Sequence, residues 1–172
     1  GYGYWDTLGN AQYTSWKEYL YSDTEEVHTW LQKEAPAFLE KELLDTLYKE
    51  ILDLIEYCPD ERYLVHGDYG FNNTIANDNK VTAVLDWGES RYGDFLYDVA
   101  WLVTWEEKMN YQDIFKEYYA KRNKQVEAFE ERIRCYVLMI IHGSFRFWVE
   151  SHQIEFVHQW QEKTRALLQD NG

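Results

Sequence analysis

The apolar residues of this chain change their spacing at Pro59, and that change limits the folds open to it. Over residues 38–58 the apolar side chains recur every three or four positions, which predicts an amphipathic helix that ends at the proline. Short apolar runs typical of strands follow directly, at residues 63–65, 74–76 and 81–85. Turn residues at 77–79 join the last two runs as a hairpin.

The remaining segments are mostly helical in pattern. Residues 1–13, rich in Gly, Tyr and Asn, have no period and predict an irregular start. The capping box Ser15–Glu18 predicts a helix to about residue 21, with a second over 24–33, and Pro36 offers another helix start. Residues 86–93 predict a loop. Further helices are predicted after Asp94 and at 111–122, 126–150 and 154–169. The fold class is therefore α+β, mainly α, in one unit spanning residues 1–172.

The charge of the chain narrows the classes of partner. The 31 acidic and 17 basic residues give a formal net charge of −14, and residues 1–110 hold the whole acidic excess. This balance argues against nucleic acid and favours a cationic ligand, a metal ion or simply solubility, and a solvated surface is the preferred explanation of the charge in residues 18–56. No apolar run is long enough to span a membrane. Cys58 and Cys135 are expected to be reduced thiols of a cytoplasmic protein.

The residues that indicate chemistry follow the short strands. His66–Asp68 comes after the first strand, Asn73 lies five residues beyond Asp68, and Asp86–Gly88 follows the last strand. A carboxylate and an amide oxygen are ligands that Mg²⁺ takes, and phosphoryl transfer also needs a group that accepts the proton of the attacking hydroxyl. Because the hairpin returns beside the loop, these side chains are expected to meet at one site.

This spacing is similar to the catalytic loop and metal-binding motif of kinases. Gly67 and Trp87, however, stand where protein kinases carry Arg and Phe. His-Gly-Asp, the following Asn, Asp-Trp and the later Gly-Asp at residues 93–94 resemble the aminoglycoside phosphotransferase family. Segments 1–4 and 82–100 are most similar to its members that act on hygromycin. The resemblance is clear over roughly the first two thirds of the chain and later extends only to helical character.

The resemblance implies a fold and a set of roles. It implies a protein-kinase-like C-terminal lobe, with a small β-hairpin that carries the catalytic loop and the metal-binding aspartate. Five polar residues would form the site, with Asp68 as the catalytic base, Asn73 and Asp86 as Mg²⁺ ligands, and His66 and Asp94 as supports of the catalytic loop. Asp98 would have a structural role near the start of its helix. The resemblance also implies ATP or GTP as phosphate donor and a polycationic aminoglycoside as substrate.

Plainer interpretations of these residues remain open. Asp68 and Asn73 could be turn residues and Asp86 a residue that ends a strand. Four tryptophans are expected in the core rather than at a substrate, namely Trp87, Trp101, Trp105 and Trp148. Candidate partners for substrate amines are Glu89, Glu106, Glu107, Glu150 and Glu155, most of which are expected to be solvated surface. No single substrate-binding residue is singled out.

A kinase also needs a glycine-rich loop and a strand-borne lysine ahead of its catalytic loop. The lysines before His66 lie in segments predicted to be helical, at positions 17, 33, 41 and 49. Gly1 and Gly3 lack the strand and helix that flank a phosphate-binding loop. We therefore expect the N-lobe to be absent and the chain to be inactive without it. Aromatic residues at 2, 4, 5 and 13 would lie at an exposed interlobe surface, through which the chain could dimerise.

Two other functions are compatible with the sequence. The chain could be a lobe of another small-molecule kinase, acting on choline, homoserine or a macrolide, because relatives in fold do not fix the substrate. It could also be a non-catalytic module that binds a cation.

Overall fold

The computed structural model describes residues 1–106 and 108–169. The helices are α1 (Trp16–Glu34), α2 (Lys41–Ile55), α3 (Leu96–Trp105), α4 (Tyr111–Ala120), α5 (Phe129–Glu150) and α6 (Ile154–Gln169). The strands are β1 (Tyr2–Trp5), β2 (Ala11–Tyr13), β3 (Tyr63–Val65), β4 (Thr74–Asn77), β5 (Lys80–Val84) and β6 (Arg91–Gly93). None of these helices combines the length and the apolarity that crossing a membrane requires.

The hydrophobic core is built around α5. This helix packs against α1, α2, α3 and α6, and it is buried around most of its circumference because these four helices enclose it. Helix α2 presents the predicted stripe to it, with fully buried Leu44, Leu47, Ile51 and Ile55. Both cysteines lie in this core as free thiols.

Two predicted helix boundaries were wrong. Residues 16–34 form one helix rather than two, because the buried stripe continues in phase through the predicted break at residues 22–23. Pro36 does not start a helix. Its carbonyl oxygen accepts a hydrogen bond from the N–H of Leu39 at 2.9 Å and closes a turn, so that α2 begins only at Lys41. Ser15 does cap α1, as predicted, by accepting a hydrogen bond from the N–H of Glu18.

The strands form two separate antiparallel sheets. The predicted hairpin is confirmed as β4 and β5, with Thr74 opposite Val84. The other sheet has the order β2-β1-β6-β3, in which Tyr92 of β6 lies between Gly3 and Leu64. Residues 1–13 are thus not irregular and 86–93 is not simply a loop. Strands β1 and β6 pair across almost 90 residues, which leaves no local period, and β2 is only three residues long, so none of the three strands was predicted.

A buried imidazole between α1 and α5 makes stability depend on pH. His142 is 1% exposed, and its Nε2 has no hydrogen-bond partner among the described residues. Its ring stacks on that of His28, with centroids 5.7 Å apart. Burial lowers the pKa of His142 to about 3, below the ordinary value of 6.5. The folded chain therefore holds His142 neutral at pH values where the unfolded chain protonates it.

We expect the free energy of unfolding to fall as the pH drops below 6.5, and His142 should contribute about 2 kcal/mol of that loss by pH 5. Urea denaturation at pH 7 and pH 5 measures this loss of unfolding free energy. His142→Leu should flatten the change by about that amount, whereas His158→Gln, at an exposed histidine, should not. Equal pH dependence in wild type and His142→Leu would show that His142 is not the group responsible.

Candidate active site

The loop that follows β3 is held by a carboxylate of α3. The backbone N–H groups of His66 and Gly67 donate to the two oxygens of Asp98, at 2.8 and 2.9 Å. Burial raises the pKa of Asp98, and these two hydrogen bonds oppose the rise. The buried ring of His66 reaches the other way, with Nε2 2.7 Å from the carbonyl oxygen of Leu85. The loop is thus fixed between α3 and the end of β5.

Asp68 and Asn73 contact each other directly. The side-chain amide of Asn73 donates to the carbonyl oxygen and to Oδ2 of Asp68, at 2.8 and 2.9 Å. Asn73 precedes β4, and its carbonyl oxygen accepts a hydrogen bond from the N–H of Leu85 at 2.8 Å. Asp86 follows Leu85 in left-handed geometry, with φ +57°. The hairpin therefore brings all three predicted side chains to one of its ends.

The side-chain oxygens at this end of the hairpin are suitable ligands for a divalent cation. The Asn73 side-chain amide donates to Asp68, which leaves its oxygen as an acceptor. The exposed carboxylate of Asp86 has no hydrogen bond or ion pair recorded with the described residues. One amide and one or two carboxylates, completed by water and phosphate oxygens, form the oxygen set that Mg²⁺ takes. The residues present fit such an ion.

The side-chain hydrogen bonds of Asp94 go to helices α3 and α5, and its expected role as a support of the catalytic loop stays a prediction. Its Oδ2 accepts hydrogen bonds from Arg132 Nε at 2.9 Å and from the Tyr136 hydroxyl at 2.7 Å. Its Oδ1 accepts from Arg132 Nη2 at 2.6 Å and from the N–H of Leu96. Asp94 therefore joins the start of α3 to α5, because a buried guanidinium binds it in bidentate fashion. The carboxylate that contacts the loop is Asp98.

A cavity of about 820 Å³ opens beside Asp68. It lies among α1, the catalytic loop, α3 and α5, and a smaller cavity of about 230 Å³ shares Asp68, Trp101 and Trp105 with it. The charged residues that line the larger cavity are Asp23, Asp68, Glu89, Arg91, Arg146 and Glu150. Asp68 thus lies where two cavities meet, on walls that are acidic and aromatic.

Buried Arg91 fixes one acidic residue of this wall. Its Nη1 donates to the Tyr19 hydroxyl at 2.6 Å, its Nε donates to the carbonyl oxygen of Glu89, and its guanidinium lies 4.3 Å from the centre of the Tyr4 ring. The Tyr4 hydroxyl in turn donates to the Glu89 carboxylate at 2.7 Å. Although burial opposes its charge, the surrounding phenols and Asp23 hold the pKa of Arg91 above its ordinary value. Glu89 is therefore held in place at the cavity.

Comparison with known proteins assigns this arrangement to a family. A model of the phosphotransferase enzyme family matches residues 6–136. The chain belongs to that family. It is 30% identical over 144 residues to hygromycin-B 4-O-kinase of Escherichia coli, an alignment that covers 81% of this chain and 40% of that protein. The resemblance inferred from the motifs is confirmed.

Solved structures confirm the fold of this phosphotransferase-family chain. A thermostable mutant of aminoglycoside phosphotransferase APH(4)-Ia, in its apo form, superposes with a TM-score of 0.81 at 26% identity, over 100% of this chain and 58% of that one. A ternary complex of an APH(4)-Ia mutant with AMP-PNP and hygromycin B gives the same TM-score at 24% identity and covers 57% of that chain. The predicted mainly helical, kinase-like α+β fold is thus confirmed. The chain spans less than three fifths of the length of these relatives.

The tryptophans divide between the core and the cavities. Trp148 is buried, as expected, but Trp87 is 44% exposed, so its assignment to the core was wrong. Trp101 and Trp105 are half-buried and line both cavities. The buried Nε1 of Trp105 has no hydrogen-bond partner among the residues described. One buried indole N–H at the cavity wall therefore lacks a hydrogen bond.

The structure also places the acidic candidates. Glu89 and Glu150 line the larger cavity and Glu106 lines the smaller one, whereas Glu155 is exposed on α6 and lines neither. Glu107 lies outside the described residues. Sequence reasoning missed Asp23, which also lines the larger cavity. The sequence did contain an indication of it. Asp23 lies four residues after Tyr19 and four before Val27, on the side of α1 that carries the buried residues.

Gly67 occupies a position that no side chain can share. Its φ is +82°, and a Cβ there would lie 2.1 Å from the carbonyl oxygen of Glu89. We expect Gly67→Ala to lower the free energy of unfolding by about 2–4 kcal/mol. Alanine is strained in this left-handed conformation, and its Cβ would also displace the backbone of Glu89. Urea denaturation measures the loss. Gly143→Ala is the control, since its Cβ would meet nothing within 4 Å and should stabilise α5. Equal stability of the two variants would contradict the expectation.

Proposed function

We propose that residues 1–172 are the C-terminal catalytic and substrate-binding lobe of a phosphotransferase. It would move the γ-phosphate of ATP or GTP to a hydroxyl of an aminoglycoside-like antibiotic, a reaction that confers resistance. The observation that carries the proposal is the direct contact of Asp68 with Asn73, at the junction of the two cavities and at the hairpin end that bears Asp86.

Asp68 is the proposed catalytic base. Its Oδ2 accepts the hydrogen bond from Asn73, Oδ1 has no donor among the described residues, and Asp68 lines both cavities. A substrate hydroxyl that donates to Oδ1 is oriented for attack on the γ-phosphorus. Its oxygen forms the new P–O bond while the bond to the leaving nucleoside diphosphate breaks, and its proton passes to Asp68. His66 and Asp98 hold the loop in place for this step.

Asn73 and Asp86 are the proposed ligands of Mg²⁺. Their side-chain oxygens are free of partners in the described part of the chain and lie at the same end of the hairpin as Asp68. The ion, when bound, neutralises charge on the phosphates of the nucleotide. The phosphates would thus be held on one side of Asp68 and the substrate on the other.

The acidic cavity supports a polycationic substrate. Its carboxylates outnumber its two arginines, and both arginines are already paired, Arg91 with Glu89 and Arg146 with Glu26 and Glu150. A concentration of negative charge attracts cations and favours their binding. The curated relative is a hygromycin-B kinase, and a solved relative binds hygromycin B together with AMP-PNP. Choline, homoserine and macrolides are the competing substrates in the test below.

Transfer by residues 1–172 alone should be slow. In the described part of the chain, the lysines ahead of Asp68 lie on helices α1 and α2, and none lies on a strand where it could contact the nucleotide phosphates. We therefore propose that these residues bind the antibiotic but need a nucleotide-binding lobe for turnover. Without it, the aromatic surface around Tyr4 and Trp5, both more than 40% exposed, would mediate dimerisation.

Transfer of labelled γ-phosphate to hygromycin B tests the proposal. The full protein encoded by the gene, with ATP or GTP and Mg²⁺, should phosphorylate hygromycin B faster than choline, homoserine or a macrolide. Residues 1–172 alone should bind hygromycin B in calorimetry and transfer little label. Transfer to another acceptor at a higher rate would assign a different substrate. Binding without transfer by the full protein would favour a non-catalytic module, and robust turnover by residues 1–172 would contradict the assignment as a lobe.

A further inference from the structure

A carboxylate lies on the face of α1 that borders the large cavity. Tyr19, Asp23 and Val27 follow one another at four-residue spacing and so share one side of the helix. Asp23 and Val27 line the cavity, and Tyr19 is buried beside them. The rest of this stripe is dominated by large apolar residues, including Trp16, Leu20 and Leu31. An ionisable group in such a stripe is costly unless something binds it.

Asp23 has few partners within the chain. The one hydrogen bond recorded for its carboxylate comes from the Tyr19 hydroxyl to Oδ1, at a long 3.3 Å. No ion pair to Asp23 is recorded across residues 1–106 and 108–169. The nearby cation, Arg91, directs its nitrogens to Tyr19 and Glu89 instead. Burial accordingly raises the pKa of Asp23, although Arg91 opposes the rise. Its carboxylate therefore has unused capacity to accept hydrogen bonds.

Helices α3 and α5 contribute further groups to the cavity wall. Trp105 and Trp148 supply aromatic surface, and the Ser144 hydroxyl, which donates to the carbonyl oxygen of Ile140 at 2.7 Å, can still accept a hydrogen bond. A cavity of about 820 Å³ is large enough for a ligand of several rings. A molecule with an ammonium group for the Asp23 carboxylate, a hydroxyl that donates to Ser144 and a sugar face that packs on the tryptophans would match this lining.

We propose that Asp23 receives an ammonium group of the substrate and selects amine-bearing sugars over neutral ones. The inference rests on the function proposed above, since Asp23 and Asp68 line the same cavity. Asp23 lies on α1, whereas Asp68, Asn73 and Asp86 lie on the loop and the hairpin. Asp23 thus determines which molecules bind and takes no part in phosphate transfer.

Calorimetric titration of Asp23→Asn with hygromycin B tests the assignment. The amide keeps the size of the side chain but removes the charge, so the dissociation constant for hygromycin B should rise about 10-fold or more. The N-acetylated derivative of hygromycin B has no ammonium group for Asp23 to bind. Its dissociation constant should therefore differ by less than about 2-fold between Asp23→Asn and the wild type. Asp53→Asn, at an exposed aspartate of α2 outside the cavity, is the matched control and should leave both affinities unchanged.

Kinetics of the full protein provide the second measurement. Asp23→Asn should raise KM for hygromycin B by the same factor and leave kcat within about 2-fold, and Asp23→Glu should restore part of the affinity. Thermal unfolding of each variant checks that the fold persists. Unchanged affinity for hygromycin B in Asp23→Asn, with or without a loss of stability, would overturn the inference while transfer by the wild type upheld the proposed function. A wild type that neither binds nor phosphorylates hygromycin B would refute both.

Discussion

Arg132→Met is expected to destabilise the chain by about 3–5 kcal/mol, the largest loss of unfolding free energy among these predictions. The Arg132 and Asp94 side chains are 2% and 0% exposed, and the two are joined by bidentate hydrogen bonds. Methionine fills much of the space but leaves a buried carboxylate with only the Tyr136 hydroxyl and the Leu96 N–H as donors. Chemical denaturation at pH 7 measures the loss, which is a large fraction of the stability of an ordinary domain.

Two further variants isolate the buried pair. The double variant Asp94→Leu with Arg132→Met removes both charges and should be more stable than Arg132→Met alone, because no unpaired ion remains. Arg165→Met removes a cation from a surface pair with Glu40 and should cost less than about 1 kcal/mol. If Arg132→Met unfolded within about 1 kcal/mol of the wild type, the pair would not be the anchor between α3 and α5.

Asp68→Asn should lower kcat for phosphate transfer by about 10²–10⁴-fold in the full protein. An amide can still contact Asn73 but cannot accept the proton of the substrate hydroxyl at neutral pH. The unfolding transition and the affinity for hygromycin B should change little, because Asp68 is half-buried and its recorded side-chain bond is to Asn73 alone. Single-turnover transfer of labelled phosphate measures the rate.

Asp78→Asn is the matched control for that experiment. Asp78 lies exposed in the turn between β4 and β5, with φ +50°, a geometry that asparagine also tolerates. Its transfer rate should equal that of the wild type. A rate for Asp68→Asn within tenfold of the wild type would remove Asp68 as the base. The metal-ligand roles proposed for Asn73 and Asp86 would then need a separate test.

The parts of the fold that depend on residues close together along the chain were predictable from the sequence. The β4–β5 hairpin, the stripe of α2 and the spacing of Asp68, Asn73 and Asp86 are local patterns, and local patterns are what periodicity and motifs report. Strand β6 was missed because its hydrogen bonds go to β1 and β3, far away along the chain. Its three residues have no alternation long enough to indicate a strand.

Side-chain roles were less predictable than the backbone. Asp94 and Asp98 lie one turn apart, and the sequence does not say which of them meets a partner from another element. Arg132, which lies 38 residues after Asp94, donates hydrogen bonds to the Asp94 carboxylate. The loop N–H groups then bind Asp98. The acid at Asp23 was likewise visible but unassigned, because its importance depends on a cavity that only the packed helices create.

The two cavities have a consequence for how such a protein can change over evolutionary time. The groups proposed to handle phosphate lie on the catalytic loop and the hairpin, whereas Asp23, Ser144 and Glu150 come from α1 and α5. The loop is tied to α3 through Asp98, and α3 to the buried part of α5 through Asp94. On the function proposed above, substitutions on the cavity faces of α1 and α5 would change which ligands bind and leave the groups proposed to handle phosphate in place. A change of ligand would then require only a few cavity-facing substitutions on two helices.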